Sequence, residues 1–190
     1  MKTLFLDRDG VINRHIIDGY VTQTEAFEFL PKVLEALAVL AQEFDRILIV
    51  TNQQGIGKGF FSIADLENIH QYMLAEIEKQ GGRIDKIYFS PHLESENNPH
   101  RKPNIGMALQ AKRDFPDIDF SSAIMVGDSL TDMQFGKNAG MKTVFLSKNI
   151  PLPNTICHLA DAVFMDLADF ADNITVVKNR TFAHAKNYPY

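Results

Sequence analysis

The chain has 190 residues, 45% of them hydrophobic, which is enough for one well-buried core and too few to expect a second independent domain. Acidic side chains outnumber basic ones 24 to 19, for a formal charge of −5, and no long basic run is present to track a nucleic-acid backbone, so a nucleic-acid partner is not expected. The single cysteine, Cys157, excludes an internal disulfide framework, and the apolar start of MKTLFLDRDG stops after Leu6, too early for a signal peptide or a membrane span; a cytoplasmic monomer with no membrane association is the expectation.

In chain order, residues 3–6 read as a short apolar strand that ends on two carboxylates one residue apart, Asp7 and Asp9. Gly10 then lets the chain turn sharply. Residues 31–44 carry apolar side chains at helical spacing (Val33, Leu37, Leu40, Ala41, Phe44), and 46–50 form a β-branched run suited to a buried parallel strand. Thr51, Asn52 and Gln53 follow it. The glycine-rich stretch 55–59 lacks the full pattern of a Walker A loop and is expected to be a turn with substrate contacts. Ser62 and Asp65 cap the clearest helix, which has Leu66, Ile69, Met73, Leu74 and Ile77 on its apolar face and is stopped by Gly81 and Gly82.

Strands are predicted at 84–89, 123–126 and 142–146, helices at 105–115 and 131–139, and a last strand at 162–165 with a short helix at 167–171. The alternation gives an α/β class, a Rossmann-like parallel sheet with helices on both faces. One domain is expected over 1–178. The remaining residues, 179–190, have no clean period and are read as a C-terminal tail: an edge extension, a docking arm or a disordered end.

Asp7, Thr51 with Asn52, and Asp128 each fall at or just after the end of a predicted strand. In open α/β sheets the ligand crevice lies outside the carboxyl ends of the strands, so this topology gathers them. Taken singly, a strand-end aspartate is more often a helix cap or a turn former. Four acids in one crevice, Asp7, Asp9, Asp128 and Asp132, instead call for a counter-cation, and an oxygen-only set suits Mg²⁺. The hydroxyl of Thr51 and the charge of Lys102 suit a phosphoryl group held beside such a metal. Arg8, Asn52, Gln53, Arg101 and Lys102 are the candidates for holding the rest of the substrate, with Gly55 and the 90–100 segment beside them.

The segments LFLDRDGVIN, IVTNQQGI, HRKPNIGM and MVGDSLTDM resemble, in that order, the four motifs of haloacid dehalogenase superfamily phosphatases. Within the superfamily they are most similar to the branch of heptose bisphosphate and histidinol phosphatases, over about residues 1–146. The resemblance implies that Asp7 is the nucleophile and Asp9 the acid and base, kept protonated by the charge beside it. It implies that Asp7, the Asp9 main-chain carbonyl and Asp128 hold Mg²⁺, that Thr51 and Lys102 bind the phosphoryl oxygens, and that Asp132 supports Asp128 or Lys102. A small phosphorylated metabolite is the implied substrate, the 7-phosphate of a heptose bisphosphate ahead of histidinol phosphate. Transport ATPases resemble the first motif but carry threonine at the position of Asp9, and dehalogenases lack the second acid, so Asp9 favours phosphatase or phosphomutase chemistry.

The stretches from Gly10 to Thr51 and from Asn52 to Lys102 are expected to be used up by core elements, which predicts an open site without a large cap domain. Many relatives carry a zinc loop with Cys-x-His and Cys-x-Cys before the Arg-Lys-Pro. This chain reads SPHLESENNPHRKP, with Ser90, His92, Asn98 and His100 at those positions, and two histidines fall short of the four ligands of a structural zinc site. Structural zinc is predicted absent. Two other readings stay open at this point: a silent phosphosugar-binding protein, which is expected to have lost Asp7 or Asp9, and a nucleic-acid end phosphatase, which the charge disfavours.

Overall fold

The structure, a computed structural model, describes residues 2–149 and 151–174. Six strands are present there, β1 (Thr3–Leu6), β2 (Arg46–Asn52), β3 (Lys86–Ser90), β4 (Ile124–Gly127), β5 (Lys142–Leu146) and β6 (Ala162–Phe164). The helices are α1 (Val33–Glu43), α2 (Gln54–Gly57), α3 (Ile63–Lys79), α4 (Gly106–Asp114), α5 (Leu130–Ala139), α6 (Asn154–Leu159) and α7 (Leu167–Asp172). The strands form one sheet in the order β3-β2-β1-β4-β5-β6, with every neighbouring pair parallel. This is the α/β architecture the sequence predicts. The chain order reverses direction between β1 and β4, which opens a crevice at their carboxyl ends.

The sheet is buried on both faces because its strands alternate apolar side chains to opposite sides within continuous apolar runs. Leu4, Leu6, Ile47, Ile49 and Val126 pack on one face with Leu37 and Leu40 of α1, Ile69 and Met73 of α3, and Phe170 of α7. Phe5, Leu48, Val50 and Met125 pack on the other with Met107 and Ala111 of α4 and Phe135 of α5. No helix among the described residues is long and apolar enough to cross a membrane.

Four features differ from the sequence expectation. Strand β2 runs two residues further than 46–50, because Thr51 and Asn52 pair with Phe89 and Ser90 of β3 although neither is apolar. The glycine-rich turn folds into the single helical turn α2. The stretch from Gly10 to Pro31 is not taken up by a strand or α-helix of the core: apart from one 3-10 turn at Thr24–Ala26 it runs as a loop, pinned where Leu30 N donates to Ile12 O at 2.9 Å and Arg14 N to Glu28 O at 2.8 Å. Helix α6 has no clear periodic signal and was not expected. The domain boundary at 178 and the tail at 179–190 lie outside the described residues.

Candidate active site

Nine of the residues singled out from the sequence (Asp7, Arg8, Asp9, Thr51, Asn52, Gln53, Arg101, Lys102, Asp128) line a single cavity of about 330 Å³ at the carboxyl ends of β1, β2 and β4, whereas Asp132, Gly55 and the 90–100 segment are not on its wall. Asp7 leaves β1 with its main-chain N–H still bonded to Val126 O of β4 at 3.0 Å, which fixes the carboxylate at the sheet's switch point. Gly10 turns the chain with φ +87°, and a Cβ there would lie 1.8 Å from Asp128 Oδ2. Only glycine lets this turn pass against Asp128.

Lys102 is the cation of the site and is only 3% exposed. Its Nζ donates to Asp7 Oδ1 at 2.8 Å, Asp132 Oδ1 at 2.6 Å and Val50 O at 2.8 Å. Burial works against its charge, but Asp132 and Asp7 outweigh burial and hold the ammonium protonated. Asn52 fixes the lysine's backbone from both sides, Nδ2 donating to Lys102 O at 3.1 Å and Oδ1 accepting from Lys102 N at 3.0 Å. Asp132 sits in the first turn of α5, where it forms a capping box with Ser129. The sequence left open whether Asp132 supports Asp128 or Lys102; its carboxylate is bonded to Lys102.

Asp7 and Asp128 have carboxyls held above the usual carboxylate range, first by burial and then by the charge of Asp132, with Lys102 only partly offsetting this at each. Asp9 behaves in the opposite way. Both its oxygens accept from Arg8 Nη2, at 2.8 and 2.9 Å, while Asn13 Nδ2 donates to Oδ1 at 2.9 Å and Gln53 Nε2 to Oδ2 at 2.8 Å. Burial alone would raise its pKa, but the Arg8 charge and these three donors reverse that and leave it below the ordinary value. The expectation that neighbouring negative charge keeps Asp9 protonated is therefore corrected: its carboxylate faces a guanidinium, and Asp7 is the member of the pair that favours its proton.

Asp7, Asp128 and Asp132 each offer a carboxylate oxygen, all within 4.8 Å of one another. An all-oxygen set of this kind fits Mg²⁺. Both oxygens of Asp132 are already bonded, one to Lys102 and the other to Ser129, so Asp7 and Asp128 are the acids available to a cation. With the Asp9 side chain turned into its clamp, only that residue's main chain is left to contribute.

Thr51 Oγ1 borders the cavity and accepts from Gln53 Nε2 at 2.9 Å. Arg101 is on the wall, with Nη1 donating to His92 O at 3.2 Å. Gly55, expected to read substrate, is instead buried; a Cβ there would meet Phe61 at 2.5 Å and Tyr20 at 2.8 Å, and Gln54 takes the place on the cavity wall. In the 90–104 loop, His92 Nδ1 pairs with Glu96 at 2.9 Å, and Asn104 Nδ2 donates to Asn98 O at 3.0 Å. The sequence missed the part of the wall supplied by the Gly10–Pro31 loop: His15, Ile16, Gly19, Tyr20 and Val21. It also missed Asn13 of the Asp9 clamp, although Asn13 stands within the first motif.

The HAD-hyrolase-like family matches residues 99–170. The chain is 45% identical over 145 residues to D-glycero-alpha-D-manno-heptose-1,7-bisphosphate 7-phosphatase of Campylobacter jejuni, covering 76% of this chain and 81% of that one. It is 40% identical over 152 residues to D-glycero-beta-D-manno-heptose-1,7-bisphosphate 7-phosphatase of Helicobacter pylori, covering 80% and 86%. Its fold is similar to the crystal structure of D,D-heptose 1,7-bisphosphate phosphatase from B. bronchiseptica complexed with magnesium and phosphate, with a TM-score of 0.82, 32% identity, and 93% and 99% of the two chains covered.

Proposed function

Since the chain belongs to the haloacid dehalogenase-like hydrolases, in their heptose bisphosphate phosphatase branch, and is thus a phosphoric monoester hydrolase, we propose that it removes the 7-phosphate of D-glycero-D-manno-heptose 1,7-bisphosphate through an aspartyl-phosphate on Asp7. One observation supports this most: Asp7, gripped by Lys102 at 2.8 Å, shares a cavity of about 330 Å³ with Asp9, Thr51 and Asp128.

An Asp7 oxygen attacks phosphorus as the bond to the sugar oxygen breaks, and Asp9 gives its proton to the departing alcohol. Water then attacks the phosphorus of the aspartyl-phosphate, Asp9 takes the water's proton, and phosphate leaves with Asp7 restored. Asp9 starts ionised on its clamp, so it takes up a proton before transfer. The negative charge of an arriving phosphoryl group beside it favours that uptake. Thr51 and Lys102 bind the phosphoryl oxygens and offset the charge that develops on them. Asp7, Asp128 and the Asp9 main-chain carbonyl would hold Mg²⁺, which supplies positive charge beside the transferring group when bound.

Arg101 supplies positive charge on the wall for the second phosphate, with Arg8, Asn52 and Gln53 lining the same cavity. We read the 90–104 loop as one held by its hydrogen bonds, without structural zinc, and the protein as a cytoplasmic monomer. Quenching the enzyme with borohydride during turnover tests the covalent step. A reduced residue at Asp7 in the peptide map is expected; reduction elsewhere, or none during confirmed turnover, would remove Asp7 from the role of nucleophile.

A further inference from the structure

His70 is a buried, titratable side chain that the chemistry above does not use. It lies on the apolar stripe of α3, between Leu66 and Met73, 7% exposed, with its ring against Phe89. Its Nε2 is 3.3 Å from Arg8 Nη1. A guanidinium only donates, so Nε2 is the accepting nitrogen and the ring is neutral with its proton on Nδ1. Burial and the Arg8 charge push its pKa down to about 3, in keeping with a neutral ring.

Arg8 is itself 1% exposed, and its Nε has no hydrogen-bond partner. The side chains that hold its guanidinium among the described residues are Asp9, which accepts from Nη2, and His70, which meets Nη1. If the imidazole is removed, the other end of the fork is unanchored. A planar fork fixed at both ends can present Asp9 in one orientation, whereas one fixed only by Asp9 moves with it.

We propose that His70 is a positioning residue for acid catalysis: by anchoring Arg8 it sets the direction in which Asp9 meets the departing oxygen. The assignment rests on Asp9 being the acid and base. A misdirected acid costs most where the leaving oxygen needs its proton, as in a sugar alcohol, and least where it does not, as in p-nitrophenolate. His70 does not itself line the cavity and reaches its wall only through Arg8, whose nearly inaccessible guanidinium is engaged by Asp9, so its contribution is to the orientation of the acid rather than to substrate affinity.

The test compares kcat/KM, which reports only steps up to departure of the alcohol, for heptose 1,7-bisphosphate and p-nitrophenyl phosphate with Mg²⁺. His70→Leu is expected to lose about tenfold or more on the sugar phosphate, carried by kcat with KM little changed, and about twofold or less on the aryl phosphate. His70→Gln places an amide oxygen near Nε2 and should recover most of the loss. The aryl phosphate serves as an internal control for folding. Equal losses on both substrates, or a Gln variant as impaired as Leu, would make His70 a packing residue and overturn the proposal. Asp9→Asn, run beside it, keeps the two assignments apart. A selective loss in Asp9→Asn without one in His70→Leu sinks the positioning role alone, while no selectivity in Asp9→Asn sinks the acid assignment and the positioning role with it.

Discussion

Lys102 stands between Asp7 and Asp132 with almost no access to water, so removing its charge would leave buried carboxylates uncompensated. Burial first, and then the remaining excess of negative charge, explain why Asp7 and Asp128 favour their protons while Asp9, held against Arg8, does not. A divalent cation held by Asp7 and Asp128 would displace those protons. Mg²⁺ should therefore bind more tightly at about pH 8 than at about pH 6, with proton release, because both carboxyls are raised and must ionise to ligate. Calorimetry in buffers of different ionisation enthalpy reads this directly; affinity flat across that range with no proton release would mean these acids do not hold the metal. Asp7, Asp9, Thr51, Lys102 and Asp128 were legible because each falls at a strand end or in a short motif. Asp132 was legible as their support, but the pairing of Arg8 with His70 was not, since the two meet across 62 residues of sequence. The one available signal was a histidine on the otherwise apolar stripe of a helix.

At the scale of elements, α3 supplies His70 and one wall of the core, and it is started by a capping box in which Ser62 Oγ accepts from Asp65 N at 3.1 Å. Ser62→Ala should cost about 1 kcal/mol in denaturant unfolding and leave kcat/KM unchanged, because Ser62 is exposed and off the cavity wall. A large change in kcat/KM would show that α3 transmits its position to the site. The same helix gives a pH test. The folded pKa of His70 is pushed from 6.5 down to about 3, so the unfolded chain binds its proton first as pH falls. The contribution of neutral His70 is complete above about pH 6.5 and is lost as pH falls toward about 3. Wild type should lose stability over that window more steeply than His70→Leu, measured as unfolding free energy against pH; parallel curves would mean His70 titrates normally. Helix α3 and the strands were legible from period and caps. The Gly10–Pro31 loop was not: its shape depends on bonds between Arg14 and Glu28, and between Leu30 and Ile12, that leave no local periodicity.

For the whole molecule, the sheet order and the switch point between β1 and β4 account for why residues from positions 7 to 128 share one cavity. That convergence was readable from the alternation of strands and helices, whereas the wall contributed by His15 to Val21 was assigned to core elements and had to be corrected. The residues gathered at the strand ends carry the proposed phosphatase chemistry; the proposed choice of a heptose bisphosphate rests on the similarity to heptose bisphosphate phosphatases together with the charge of Arg101 on the cavity wall. The most direct test of that central claim is Mg²⁺-dependent phosphate release, with a chelator control, from both anomers of D-glycero-D-manno-heptose 1,7-bisphosphate, from histidinol phosphate and from common sugar phosphates. A preference in kcat/KM of about a hundredfold or more for a heptose bisphosphate is expected. A comparable preference for histidinol phosphate, or equal slow turnover of every compound, would contradict it.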